Sequence, residues 1–352
     1  MSLYERLRPL LFRLPPETAH SIAHTGMAMA ERTPLPGVLQ RGFAVEDERL
    51  QVEAFGQQFP NPVGVAAGFD KNGQVPKTLH GLGFGHVEVG GVTPEPQSGN
   101  SRPRVFRLVE DEGLINRMGL NNEGADVVGR RLRSTDAGFP LGVNLAKNET
   151  TPPEDAPSDY RDAYERVAEG GDFFVVNVSC PNSEGFRDLQ NRETLEAILG
   201  ELRDAGANPL LVKLSPDLPE PALEETIELV EAYGLEGVIA TNTSTERPET
   251  LEGPSRAEEG GLSGKPIEET ATETVRFVAR RTDVPVIGVG GVFTAADAYR
   301  KIRAGASMVQ LYTAFVFRGP TVARDINRGL ATLLERDGFD SVEDAVGVDL
   351  EE

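Results

Sequence analysis

A closed (β/α)8 barrel preceded by an amphipathic helical extension is the fold the chain predicts, and three observations carry it. Eight runs rich in Val, Ile, Leu and Phe recur between residues 61 and 315, and most are separated by segments whose apolar residues repeat with helical period. The runs are continuous rather than alternating, as in parallel strands buried on both faces. At 352 residues and 39% hydrophobic content the chain can fill one large core or two modest ones, and nothing signals a second large domain. Eight βα units of this length close naturally into a barrel. A doubly wound open sheet is the structural alternative.

Residues 3–14 place Leu3, Leu7, Leu10, Leu11 and Leu14 on one helical face. Pro15-Pro16 break that helix and start another, Glu17 to about Glu31, apolar along Ala19, Ile22, Ala23, Met27 and Ala30. This pair is either a capping hairpin packed inward or an interfacial membrane anchor, and periodicity does not separate the two. His20 and His24 stand at i,i+4 but have no evident third ligand, so no metal is expected. A turn-rich linker, Thr33–Asp47, leads to a small hairpin at Leu50–Phe55 and Phe59. The division expected is an extension over 1–44 and a barrel over 45–352.

The strands expected are Asn61–Gly68, His86–Thr93, Leu141–Ala146, Phe173–Ser179, Leu210–Ser215, Gly237–Thr243, Val284–Gly291 and Met308–Phe315. The helices are Gln74–Leu82, Gly124–Leu132, Tyr160–Glu169, Thr194–Asp204, Pro219–Tyr233, Ile267–Arg281, Ala295–Ala304 and Gly319–Arg336. Residues 97–122 read as a hairpin over the barrel mouth and 244–264 as an acidic, Gly-rich excursion; long loops at that end of a barrel usually bind something. Asp337–Glu352 reads as an acidic, solvated tail. Gly81-Leu-Gly83-Phe-Gly85 imitates a dinucleotide fingerprint, but it precedes a strand and opens no helix, so it is a helix-terminating turn.

Charge narrows the function. The formal net charge of −21 would repel nucleic acid. Of 35 basic residues only six are lysines (Lys71, Lys77, Lys147, Lys213, Lys265, Lys301), leaving 29 arginines. An acidic surface nearly emptied of lysine resembles proteins from salt-accumulating organisms, where salt screens self-repulsion, so the surviving lysines are expected to be needed. One cysteine excludes an internal disulfide and fits a reducing cytoplasm. There is no 18-residue apolar run and no signal-peptide core.

The ends of the strands carry the chemistry. The run Phe173–Val178 stops in Asn177, Ser179, Cys180 and Asn182, with Pro181 ending the ladder, and C-terminal strand ends are where α/β folds hold ligands. A lone cysteine is usually a small buried thiol; the flanking asparagines favour function. The other ends supply Gly68, Asp70, Lys71, Asn144, Lys147, Lys213, Thr241, Asn242, Thr243, Gly290, Gly291, Tyr312 and Thr313. This set is rich in amides and almost free of carboxylates, so it suits neither glycoside cleavage nor a metal centre. It suits a planar, carbonyl-bearing heterocycle and an anionic substrate. Gly288-Val-Gly290-Gly291 before Thr294 at a helix start, with Tyr312-Thr313, reads as a phosphate site.

Six motifs together resemble the dihydroorotate dehydrogenase family, specifically its membrane-associated, quinone-dependent class 2. They are NPVGVAAGFDK (61–71), GLINRMGLNN (113–122), NVSCPN (177–182), ATNT (240–243), GGLSGKP (260–266) and IGVGG (287–291), with Pro16-Glu17-Thr-Ala-His20 in the extension. The likeness runs from residue 3 to about 346. It implies FMN held by Ala67, Gly68, Gly91, Asn144, Asn177, Lys213, Thr241, Gly264, Gly291, Tyr312 and Thr313. It implies dihydroorotate or orotate held by Lys71, Asn116, Arg117, Met118, Gly119, Leu120, Asn177, Asn182, Asn242 and Thr243. Cys180 would take the C5 proton while the C6 hydride passes to the flavin, and a membrane quinone would enter past His20, Arg107 and Tyr312. A monomer is implied on the cytoplasmic face of the cell membrane, held peripherally through residues 3–31. The two half-reactions would be separable, so that loss of residues 1–40 spares flavin reduction.

Two positions depart from the class 2 pattern. Serine usually stands where this chain has Cys180, which is typical of class 1. Threonine commonly stands at Gly91. The alternatives are a class 1 enzyme using fumarate or NAD, a sugar-phosphate aldolase with Lys213 as Schiff-base nucleophile, and a non-catalytic scaffold at the membrane.

Overall fold

The computed structural model describes residues 3–135, 137–178, 189 and 191–350. The chain begins with α1 (Leu3–Leu11), α2 (Pro16–Glu31) and α3 (Leu35–Phe43), then a hairpin of β1 (Val52–Ala54) and β2 (Gln57–Phe59). The first half of the barrel is β3 (Val63–Val65), α4 (Pro76–Gly81), β4 (His86–Val92), β5 (Val105–Leu108), β6 (Gly113–Asn116), α5 (Ala125–Arg133), β7 (Leu141–Leu145), α6 (Ala156–Val167) and β8 (Phe173–Asn177). The second half is α7 (Arg192–Asp204), β9 (Leu210–Leu214), α8 (Glu220–Ala232), β10 (Gly237–Ala240), β11 (Gly261–Gly264), α9 (Glu268–Ala279), β12 (Val286–Val289), α10 (Ala295–Arg303), β13 (Met308–Leu311), α11 (Thr313–Arg318) and α12 (Val322–Asp337). Strands β3, β4, β7, β8, β9, β10, β12 and β13 close, in that order, into a parallel barrel. The expected (β/α)8 fold is therefore the one observed.

The floor of the barrel is plugged and its C-terminal mouth is open, which decides where a ligand can sit. Phe55 and Phe59 of the β1–β2 hairpin pack against Phe173, and the Phe59 ring meets His86 edge-on at 5.4 Å. Two glycines make room for these rings. A Cβ on Gly64 would lie 2.1 Å from the His86 ring and one on Gly142 2.3 Å from the Phe173 ring. Large side chains opposite missing ones are how a small barrel fills its taper. Over the mouth lies a three-stranded antiparallel sheet, β5–β6–β11, in which the 244–264 excursion supplies the third strand beside the expected hairpin.

Three expectations need correction. The last strand stops at Leu311 rather than Phe315, because Thr313 opens α11. The linker 33–47 holds α3, whose N-terminal Pro36 and internal Gly37 imitate a turn. The C-terminal segment is docked rather than solvated: Val342 and Ala345 are buried, the Val342 N–H donates to Arg49 O at 2.8 Å, and Arg303 grips Asp349. Gly81–Gly85 is a turn, as expected, but a constrained one, since a Cβ on Gly85 would lie 2.2 Å from Asn61 O.

The extension is both capping hairpin and apolar surface. On its inner side the Tyr4 hydroxyl donates to Val316 O (2.6 Å) and Arg8 Nη1 to Phe317 O (3.1 Å), satisfying late carbonyls of α11. Helix α4 has no side-chain cap of its own. Glu31, at the end of α2, supplies it by accepting from Lys77 N and Thr78 N, both at 2.8 Å. Leu7, Leu10, Leu11, Leu14, Ile22, Met29, Leu35 and Val38 of this extension are exposed, eight of the ten exposed large apolar residues among those described, and Leu11, Leu14, Ile22 and Leu35 also reach the rim of a cavity between the helices and the barrel. No described helix is long and apolar enough to cross a membrane.

Candidate active site

Glu88 sits in the middle of β4, fully buried inside the barrel. A carboxylate there must be paired, and Lys213 of β9 pairs it from across the lumen, its Nζ donating to both oxygens at 3.2 and 3.1 Å. Asn144 Nδ2 donates to Glu88 Oε1 at 2.6 Å, Asn177 Nδ2 to Asn144 Oδ1 at 2.9 Å, and Asn242 Nδ2 to Asn177 Oδ1 at 3.3 Å. This chain of amides leads from the buried carboxylate to the mouth, where Asn177, Asn242 and Lys213 line a cavity. Asn144, expected as a ligand contact, lies one layer beneath, with each end of its amide taken by a neighbour. Glu88 lies at the centre of its strand, where the residues at strand ends do not reveal it. The available signal was one charge inside each of two apolar runs, His86–Val92 and Leu210–Leu214, of opposite sign.

One end of the cavity suits phosphate. Gly290 and Gly291 take positive φ (114° and 73°), and a Cβ on Gly291 would lie 2.3 Å from Glu268 of α9, so the helix packs where a side chain would point. Thr313, with its hydroxyl 2.9 Å from that of Ser263, opens α11, whose first N–H groups have no partner within the helix. The helix start at Thr294, expected to share this task, is occupied. Thr294 and Asp297 form a capping box, and Asp297 Oδ2 also accepts from Phe293 N at 3.1 Å. Gln310, buried on the cavity wall, leaves its Oε1 without a protein partner. An open glycine cradle, a spare acceptor and the Asn/Lys cluster are donor and acceptor sets that a phosphorylated, carbonyl-bearing ring would fit.

At the other end stand Lys71, Asn116, Met118, Gly119, Leu120, Asn242 and Thr243. Burial, with Arg104 adding repulsion, pulls Lys71 from its usual value down to about 8. Its Nζ donates to Gly68 O at 2.5 Å. Arg117 is absent from this wall. It follows Asn116 at the end of β6 and so points to the opposite face, where Nη1 donates to Glu258 at 2.9 Å and the guanidinium lies 4.6 Å from the centre of the Phe106 ring. Ala67, Gly68, Gly91, Thr241, Gly264 and Tyr312 also line the cavity. At Gly91 a Cβ would meet Leu120 Cδ2 at 3.0 Å, so Leu120 holds the space that a side chain would need. Cys180 and Asn182 lie outside the described residues.

Residues 49–334 match the family described as Dihydroorotate dehydrogenase. Over 350 residues the chain is 65% identical to the "Dihydroorotate dehydrogenase (quinone)" of Haloarcula marismortui, covering 99% of this chain and 100% of that one. The protein of the same description from Natronomonas pharaonis is 61% identical over the same length and coverage. Among solved structures, DHODH from Eimeria tenella in complex with ferulenol superposes with a TM-score of 0.86 at 36% identity, covering 96% of each chain. The chain belongs to the dihydroorotate dehydrogenase family.

A second cavity lies under α1 and α2, lined by His20, Phe69 and Arg107 among others, and it shares Lys71, Val105, Leu114, Met118 and Tyr312 with the first. The three residues expected along a quinone route, His20, Arg107 and Tyr312, therefore meet in one space. His20 packs edge-on to Phe69 at 5.2 Å, and burial with nearby Lys71 lowers its pKa to about 3, so the ring is neutral. Arg107 Nη1 donates to Leu14 O at 2.8 Å and the guanidinium lies 4.5 Å from the centre of the Phe12 ring. Burial holds the Tyr312 hydroxyl up at about 12, and so protonated. No described cluster of three His, Cys, Asp or Glu could hold a metal; His24 faces Asp70 at 3.6 Å instead.

Proposed function

We propose that the chain oxidises (S)-dihydroorotate to orotate in de novo pyrimidine biosynthesis, with FMN as its flavin and a membrane quinone as final acceptor. The observation that carries this reading is the wall shared by the two cavities. One is lined by a glycine cradle and an amide cluster; the other lies beneath helices that carry most of the exposed large apolar side chains among the described residues. FMN, when bound, supplies the hydride acceptor for C6 of the substrate. Gly291, Tyr312 and Thr313 would hold its phosphate; Ala67, Gly68, Gly91, Asn177, Lys213, Thr241 and Gly264 would hold the rest. Lys71 offsets the substrate carboxylate, and Asn116, Asn177 and Asn242 pair with the pyrimidine carbonyl and N–H edges. Cys180 removes the C5 proton; a thiol titrates near pH ~8.5, far more readily than a hydroxyl. The Lys213–Glu88 pair argues against the aldolase reading, because a Schiff base needs an uncharged amine. The outer apolar face of α1–α3 suits peripheral attachment to the cytoplasmic face of the membrane.

An anaerobic absorbance spectrum in molar salt, before and after addition of dihydroorotate, tests this. A flavin band that bleaches supports cofactor, substrate and proton transfer together. A band that persists removes the substrate assignment, and no flavin band from folded protein removes the redox reading. Cys180→Ala should bind flavin and lose at least about 100-fold in bleaching rate, the usual scale of a general base.

A further inference from the structure

We infer that Glu17, on α2, is a positioning residue for the substrate end of the site, acting through Arg104. The inference rests on the proposed function. No described residue before Ala66 lines the mouth cavity, so nothing in the extension touches a substrate held there. Yet Arg104 Nε donates to Glu17 Oε1 at 2.9 Å, with side-chain exposures of 7% and 18%. From its other edge Arg104 Nη1 donates to the carbonyls of Ser98 (2.9 Å), Asn100 (3.1 Å) and Met118 (3.5 Å). One guanidinium thus ties the 98–100 turn to the Met118–Leu120 loop that walls the cavity.

There is no slack in this arrangement. A Cβ on Gly99 would lie 2.3 Å from Met118 O and 2.9 Å from Arg104 Nη1, and one on Gly119 2.7 Å from Asn100. Arg104 also repels Lys71, whereas Glu17 and Asp70 attract it; His20, the other titratable group of α2 beside Lys71, is neutral. Removing the Glu17 charge leaves a confined guanidinium with carbonyls alone and strips Lys71 of one of its two compensating carboxylates. The loop then loosens and the lysine loses its proton more readily. The two half-reactions are accordingly not separable at residue 40: loss of the extension reaches the dihydroorotate end as well.

The test uses full-length flavoprotein and follows flavin bleaching against dihydroorotate concentration from pH 6.5 to 9.5. Relative to wild type, E17Q should raise the apparent dissociation constant about tenfold. Its alkaline loss of binding should also begin at lower pH, since an ammonium needed for an anion disappears as pH rises through its pKa. E17D, which keeps the charge, should lie between. R102L removes an arginine whose side chain is 74% exposed and 3.3 Å from Glu17, and should change neither quantity. Unchanged binding and an unchanged alkaline limb in E17Q, even with a lower Tm, would overturn the inference. If E17Q does not fold, E17D decides, and wild-type behaviour in it has the same meaning. A wild type that never bleaches refutes the proposed function instead.

Discussion

Glu88→Gln should loosen flavin binding. It leaves the Lys213 ammonium buried with only neutral partners, a loss of about 3–5 kcal/mol where half of such a pair is removed. The protein should purify with substoichiometric flavin, a reading of the absorbance ratio that needs no turnover. Lys71 gives a second expectation. Its pKa near 8 means the ammonium is present below that value and lost above it, so dihydroorotate affinity should fall as pH climbs through about 8; a bleaching titration across that range measures it. The amide cluster was legible in the sequence because asparagines end several apolar runs. Glu88 was not, because a survey of strand ends ignores strand centres. Arg117 was misplaced because a motif gives residue order but not which face of β6 each residue takes.

Among the elements, the barrel strands were the most legible, their β-branched runs being bounded by Gly and polar groups. What escaped were pieces whose structure depends on tertiary partners. The C-terminal residues carry few apolar side chains, and they dock because Val342 and Ala345 find the barrel surface. Helix α3 contains the turn-like Leu-Pro-Gly and forms in packing against α4 and α2. Gly64 offers a test at this scale. Ala there would set a methyl inside the His86 ring, and chemical denaturation should show a loss of about 1–3 kcal/mol, the cost of overpacking. Deleting residues 1–43 should abolish quinone reduction and vesicle binding. It also removes the Glu31 cap of α4, so melting temperature should fall with it.

For the whole molecule, charge and apolar surface pull in opposite directions. A net charge of −21 repels anionic lipid, while the outer leucines of α1 and its neighbours favour the interface. Raising salt from about 0.1 to 1 M shortens the screening length from ~10 to ~3 Å and leaves the apolar term intact. Sedimentation with anionic vesicles should therefore show tighter binding at high salt, opposite to a basic membrane protein. The sequence-based reading that the few lysines are needed has a structural counterpart: none of the six is an exposed residue, and Lys147, Lys213 and Lys301 are buried. Burial draws Lys301 down to about 7, its Nζ bonded to Thr272 Oγ1 at 2.7 Å. These three amines follow β7, lie within β9 and sit on α10, on separate walls of the barrel. Acylating reagents applied to the native protein would reach them only through local opening, so the order in which they become labelled over time would record which wall of the barrel breathes first.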